Sequence, residues 1–185
     1  LASVRSAPFG TLVEQMLQQS DNVIAECLAR QVALAEHRPA SFTGAAQAVR
    51  SVLTRLGVDP GVGLVDGSGL AARDRVSAAA LAGVLRLIAG PAQPRLHAVT
   101  AALPVAGWSG TLATRYVHGR GRAAAGLVRA KTGTLTGVST LAGLVHDHSG
   151  RLLGFALMAE HTGPTPAAES ALDTVVATLA GCGCP

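Results

Sequence analysis

The chain has 185 residues, 49 % hydrophobic but only 3 % aromatic, so its core is expected to rest on Ala, Leu and Val. A charged fraction of 14 % argues against a disordered chain. Net charge is +4, yet the fourteen arginines are scattered from Arg5 to Arg151 without interleaved aromatics, which speaks against a nucleic-acid-binding surface.

Along the chain, "FGTLVEQMLQQ" after Pro8 predicts a short helix with Leu12, Met16 and Leu17 on one face. "SDN" at Ser20–Asn22 opens a second helix, Val23 to about His37, whose Ile24, Leu28, Val32 and Ala35 recur at helical spacing. Pro39 ends it. Phe42 to Leu56 predicts a third helix stopped by Gly57. A strand-like "GVGLV" (61–65) leads into "DGSGL" (66–70), whose glycines imply a tight loop. Ser77 is a plausible N-cap for "AAALAGVLRLIAG", a nearly all-apolar helix expected to be deeply buried. A further helix is expected over Gln93–Leu103, followed by the glycine-bearing "PVAGWSGTL". From residue 126 the period changes. "GLVRAKTGTL", "STLAGLVHDHSG" and "RLLGFALMAEH" read as three strands, the last two joined by a tight turn at Ser149-Gly150. A helix from about Pro166 to Leu179 closes the chain. Helices first, then an antiparallel meander with a packing helix, predict an α+β fold.

The longest run without Asp, Glu, Lys or Arg, residues 96–114, is broken by Pro104, Gly107 and Gly110. A spanning helix needs about 20 apolar residues in succession. The opening "LASVRSAPFG" lacks the basic-then-apolar plan of a signal peptide. Cys27 falls within a helical pattern and is expected to be a small buried hydrophobe. Cys182 and Cys184 are separated by one residue, a poor spacing for bonding each other, and one of them could reach Cys27 or another chain. No histidine stands near them at a metal-ligand spacing. His146 and His148 alternate at a hairpin and are expected to be solvated.

Two polar stretches carry chemistry. A serine at a helix entrance can relay a proton, and an asparagine two residues on can present its amide to a peptide-like ligand. The bland account of Ser20-Asp21-Asn22 is a helix cap. Lys131, the only lysine, lies on a predicted strand before Thr132-Gly133-Thr134. There it can hold a hydroxyl in a proton network or attract an anion, the threonines suit a carboxylate, and Gly133 lets a backbone approach. The bland account here is a solvent-facing lysine.

Ser-Asp-Asn and Lys-Thr-Gly belong, with Ser-x-x-Lys, to the signature of penicillin-binding proteins and class A β-lactamases, and both occur here in that order. With "VDGSGLAARDRVS" (65–77), "LPVAGWSGTLATR" (103–115) and "GLVRAKTGTLTGVSTLAGLV" (126–145), the chain resembles the S13-type D-alanyl-D-alanine carboxypeptidases, the class C low-molecular-mass penicillin-binding proteins, from about Ala7 to Gly181. The resemblance implies a penicillin-binding-protein/β-lactamase-like α+β fold: residues 1–120 mainly helical, 121–185 antiparallel strands plus a C-terminal helix. It implies serine-type carboxypeptidase or endopeptidase action on peptidoglycan stem peptides ending in D-Ala-D-Ala, β-lactams as inhibitors, an extracytoplasmic place, and no metal or cofactor. Ser20 would shuttle a proton, Asn22 would bond the peptide carbonyl, and Lys131 would support the network electrostatically. Thr132 and Thr134 would bind the terminal carboxylate beside Gly133, with the Thr134 N–H as half of an oxyanion hole. Leu70 would sit in the loop that borders the substrate cavity, although Ala71-Ala72 stand where relatives often carry Ser-Arg. Asp21 would hold the turn.

One departure matters most. The residue three before Lys131 is Val128, so the chain contains no Ser-x-x-Lys and no serine with an activating lysine. With nineteen residues before Ser20, the chain is expected to be the C-terminal portion of a transpeptidase-like domain, incomplete at its N-terminus, with the missing N-terminal part as its partner. It is expected to be inactive alone. The alternatives are a class A β-lactamase-like fragment, which would need a deacylating glutamate between the triplets, and a non-catalytic module that binds muropeptides.

Overall fold

The computed structural model describes residues 2–58 and 63–182. The order is α1 (Phe9–Gln19), α2 (Asn22–Ala35), α3 (Phe42–Arg55), α4 (Ala78–Ala89), α5 (His97–Ala102), β1 (Val128–Leu135), β2 (Val138–His146), β3 (Leu152–Glu160) and α6 (Thr165–Ala180). Short 3₁₀ turns occupy Pro94–Leu96, Gly110–Leu112 and Gly119–Ala124. The helix expected over Gln93–Leu103 therefore begins as a 3₁₀ turn at Pro94, where the ring has no N–H to give.

The strands form one antiparallel sheet in the order β1-β2-β3. Val128, Ala130, Leu141, Val145 and Phe155 point to one face, where Val176, Ala177 and Ala180 of α6 cover them. Ala142 and Leu144 point to the other, against Leu85 and Ile88 of α4, Leu103, and Leu17 of α1. Lys131 pairs with Ala142, and directly opposed residues share a face, so the lysine projects toward the helical layer. Helices α2 and α3 meet through Ala29, Ala33, Ala45 and Ala48, small residues that let the helices approach closely.

Four expectations are corrected. Residues 61 and 62 of the strand-like stretch lie outside the described residues, and Gly63–Val65 form no strand. The Gly63 carbonyl accepts from Arg75 and the Val65 N–H donates to Asp74 Oδ1 at 2.5 Å, so this stretch is tied to a neighbouring loop instead. Helix α4 is buried only along Ala80, Leu85 and Ile88, while Ala78, Ala79, Ala82 and Arg86 are exposed. Alanine-rich composition concealed that one-sidedness. Cys27 is an exposed free thiol on the outer face of α2. It is therefore no partner for Cys182, and Cys184 lies outside the described residues. His146 and His148, by contrast, are both exposed as expected.

Candidate functional site

Ser20 is the residue the sequence misplaced. It terminates α1 rather than opening α2, in the left-handed conformation at φ 55° and ψ 44°, and its N–H bonds back to the Met16 carbonyl. A non-glycine residue enters this region only when its surroundings hold it there. Asp21 is the true N-cap of α2, its Oδ1 accepting from the Ile24 N–H at 2.9 Å. Asn22 is then the first helical residue. Among the described residues its side-chain amide has no hydrogen-bond partner.

The end of α1 is anchored on two sides. Gln18 Nε2 donates to the Ala102 carbonyl at the end of α5, at 2.9 Å. The Gly110 backbone lies against the Gln18 carbonyl, where a Cβ would stand 2.7 Å from that oxygen and 3.0 Å from Pro104 Cγ. The segment before β1 is in turn stitched to that strand. Ala106 N–H donates to the Val128 carbonyl and Ala130 N–H to the Pro104 carbonyl, both at 3.0 Å. Thr132 Oγ1 donates to Thr111 Oγ1 at 2.9 Å.

Across this frame Lys131 Nζ donates to Ser20 Oγ at 2.8 Å and to the Thr132 carbonyl at 2.7 Å, although 111 positions separate lysine from serine. The ammonium is largely shielded from water, and desolvation lowers its pKa to about 8. A solvent-facing strand lysine is thereby excluded. Two of its three hydrogens are committed; the third has no acceptor among the described residues, nor does the Ser20 hydroxyl hydrogen. Both can therefore serve an incoming group.

Strand β1 is a sheet edge. Ala130 turns its N–H outward to Pro104, and backbone groups alternate with period two, so Thr132 and Thr134 present theirs on the same edge. Pro104–Ala106 cover that edge only as far as Ala130. Thr134 is exposed. Gly133 lies over Thr140 Oγ1, which leaves no room for a Cβ, and its carbonyl accepts from that hydroxyl at 3.4 Å.

Leu70 is 55 % exposed, at the end of the 66–71 loop. Asp66 holds the loop from within, Oδ1 accepting from Ser68 and Gly69 and Oδ2 from Ala71. Burial pushes the Asp66 carboxyl up, but the Gly69 and Ala71 N–H groups outweigh this and hold it below the usual range. Burial raises Asp74, and the neighbouring Asp66 adds to the effect.

The sequence reading missed Gln18, Thr111 and Glu26. Gly110, at φ 56°, hints at a close backbone approach beside Thr111, but nothing in the sequence points to Gln18 or Glu26. Among the described residues no group of three or more His, Cys, Asp or Glu could hold a metal ion, and no helix is long and apolar enough to cross a membrane.

Comparison with known proteins matches residues 1–179 to the D-Ala-D-Ala carboxypeptidase 3 (S13) family. Carboxypeptidase DacB of Mycolicibacterium smegmatis is 49 % identical over 186 residues, covering 100 % of this chain and 40 % of that protein. Penicillin-binding protein 4 of Haemophilus influenzae, solved with a β-lactam, superposes with a TM-score of 0.78 at 32 % identity, over 91 % of this chain and 40 % of that one. The TLA-3 extended-spectrum β-lactamase, 14 % identical with a TM-score of 0.67 over 95 % of this chain and 66 % of that one, shares the fold. The chain spans about 40 % of the length of such curated relatives. It belongs to the S13 D-Ala-D-Ala carboxypeptidase family and has the α+β fold of penicillin-binding proteins and β-lactamases.

Proposed function

We propose, starting from S13 family membership, that the cleft between Ser20 and β1 is the acyl-donor site of a serine D-Ala-D-Ala carboxypeptidase or endopeptidase acting on peptidoglycan stem peptides outside the cytoplasm. The single observation that carries this reading is the 2.8 Å bond from Lys131 Nζ to Ser20 Oγ. It joins a proton-relaying hydroxyl to a cation whose charge is poorly solvated and therefore available to an anion. A peptide laid along the open edge of β1 adds an antiparallel strand there. Its terminal carboxylate meets the Thr132 and Thr134 hydroxyls, and its scissile carbonyl oxygen meets the Thr134 N–H, half of an oxyanion hole. Asn22, with an uncommitted amide, bonds the preceding peptide carbonyl. Gly133 admits the peptide backbone.

The nucleophilic serine of Ser-x-x-Lys is supplied by the remainder of the full-length enzyme. Its hydroxyl attacks the penultimate D-Ala carbonyl and forms an ester. The proton passes through Ser20 to the departing D-Ala amine, and water then cleaves the ester. Lys131 stabilises negative charge along that path. A β-lactam, whose carboxylate and strained amide imitate the D-Ala-D-Ala terminus, enters the same site. Glu26 does not suit the deacylating role that a class A β-lactamase fragment requires, because its Oε1 is engaged by two backbone N–H groups and its Oε2 is buried, closed to a hydrolytic water.

The test is a titration with a peptide ending in D-Ala-D-Ala. The readout is fluorescence of Trp108, the only tryptophan, 81 % exposed and three positions before Thr111. Saturable binding is expected, with at least a roughly tenfold loss on Lys131→Ala or on amidating the peptide carboxylate. Equal binding of an L-Ala-L-Ala peptide contradicts the proposal.

A further inference from the structure

Thr111 lies beside β1 with its side chain joined to that of Thr132, hydroxyl to hydroxyl at 2.9 Å. Its backbone has little freedom. It is the middle residue of the 3₁₀ turn Gly110–Leu112. On one side Gly110 is wedged against the Gln18 carbonyl and Pro104 Cγ; on the other Leu112 is fully buried, its carbonyl accepting from the Gly107 N–H at 3.0 Å. Thr132 is held at its own backbone, where the carbonyl accepts from Lys131 Nζ at 2.7 Å. Two fixed backbones thus bring together hydroxyls from positions 21 apart. Two hydroxyls that share one bond have one hydrogen left over. Neither oxygen has a second hydrogen-bond partner among the described residues, so the bond can run in either direction. With Thr132 donating to Thr111, the Thr132 oxygen offers only lone pairs to a ligand. With Thr111 donating to Thr132, the spare hydrogen lies on Thr132 and the Thr111 bond polarises it. An approaching carboxylate selects the second arrangement, because it repels a lone pair and accepts a hydrogen.

We propose that Thr111 is a positioning residue for the substrate's terminal carboxylate: by donating to Thr132 Oγ1 it turns the Thr132 hydrogen toward the anion and keeps it there. The inference rests on the cleft being the D-Ala-D-Ala site proposed above. Thr111 acts through Thr132 and touches no reacting atom. Without the Thr111 hydroxyl, Thr132 still has a hydrogen to give, but nothing orients or polarises it, so the loss falls on anionic ligands. A neutral terminal amide can donate to a Thr132 lone pair as readily as it accepts the Thr132 hydrogen. Either direction of the bond serves it, and it is indifferent to Thr111. Serine in place of Thr111 keeps the hydroxyl on the same fixed backbone, whereas valine keeps the shape of threonine and removes the hydroxyl.

Two peptides are titrated against the chain by calorimetry, one ending in free D-Ala-D-Ala and the other in its carboxamide. The wild-type chain is expected to favour the carboxylate at least roughly tenfold. Thr111→Val weakens the carboxylate peptide about fivefold, the ordinary worth of one hydrogen bond, and leaves the carboxamide within about twofold of its wild-type affinity. Thr111→Ser keeps the wild-type ratio. Thr132→Val also weakens the carboxylate peptide, and Thr111→Val added to it costs nothing further, because the hydroxyl it acts through is gone. A carboxylate peptide bound by Thr111→Val as tightly as by wild type overturns the inference. Equal weakening of both peptides does the same, since it marks a merely structural role, and so does a double variant whose losses multiply, which marks two independent contacts. If neither amidating the peptide nor Lys131→Ala alters binding, the cleft assignment fails and the inference with it. Loss on both, with an indifferent Thr111→Val, sinks the inference alone.

Discussion

At Lys131 the balance between charge and burial has a measurable sign. Its pKa of about 8 lies below the roughly 10.4 of an unfolded lysine, because burial penalises the ammonium. Below pH 8 both states hold the proton, and the folded state bears the full cost of a poorly solvated charge. Between about pH 8 and 10.4 the unfolded chain binds more protons than the folded one, so stability rises with pH through that window. Denaturant midpoints of wild type minus Lys131→Met should accordingly increase from pH 7.5 to pH 10. A flat difference would mean that the ammonium is well hydrated. The pairing of this lysine with Ser20 was legible in the sequence as two short motifs in order. The way the pairing is achieved was not. Nothing in "SDN" reveals that Ser20 sits at φ 55° and closes α1, because backbone handedness at a serine is imposed by what surrounds it.

Among the elements, legibility followed periodicity. Helices α1 to α3 and all three strands have apolar spacing strong enough to find, and the sheet register then puts Lys131 on the helical side. Helix α4 deceived because alanine counts as apolar whether or not it is covered, so the pattern could not say which face the sheet takes. The braces of the site were invisible for a different reason. Gln18 reaches Ala102 across 84 positions and Glu26 reaches Gly67 across 41, and a single sequence carries no trace of such contacts. Gly110 is the brace whose disturbance tells most. A side chain there meets a positive φ, at about 1–2 kcal/mol for left-handed backbone, and also collides with the Gln18 carbonyl. Gly110→Ala should lower stability by at least about 1–2 kcal/mol in urea unfolding. It should also weaken D-Ala-D-Ala peptide binding, because Thr111 and the end of α1 must both shift. Unchanged binding in a destabilised variant would separate this turn from the site.

At the scale of the whole molecule, the sheet is clamped between layers whose far sides are secured by their own contacts. Arg115, in the segment that leads to β1, makes a two-pronged ion pair with Asp173 of α6, at 2.6 and 3.0 Å, so the stretch bearing Thr111 is held to the helix behind the sheet. The end of α1 and the segment before β1 are thus both braced. Bracing by itself is not acylation chemistry. Acylation by penicillin requires a serine whose proton is removed by a lysine held beside it, and the only lysine here follows Val128, not a serine, by three. Ser20 has the lysine at 2.8 Å, yet it sits in a left-handed cap with its N–H bonded to Met16. An attacking serine needs its own N–H free as the second oxyanion donor. In the proposed reaction Ser20 is therefore given the relay and not the attack. Incubated with a fluorescent penicillin and resolved on a denaturing gel, the 185-residue chain should remain unlabelled, while an S13 enzyme of the relatives' full length, carrying Ser-x-x-Lys, takes up the label. Stoichiometric labelling of the chain alone, abolished by Ser20→Ala, would make Ser20 a nucleophile and reverse the division of labour argued from its geometry.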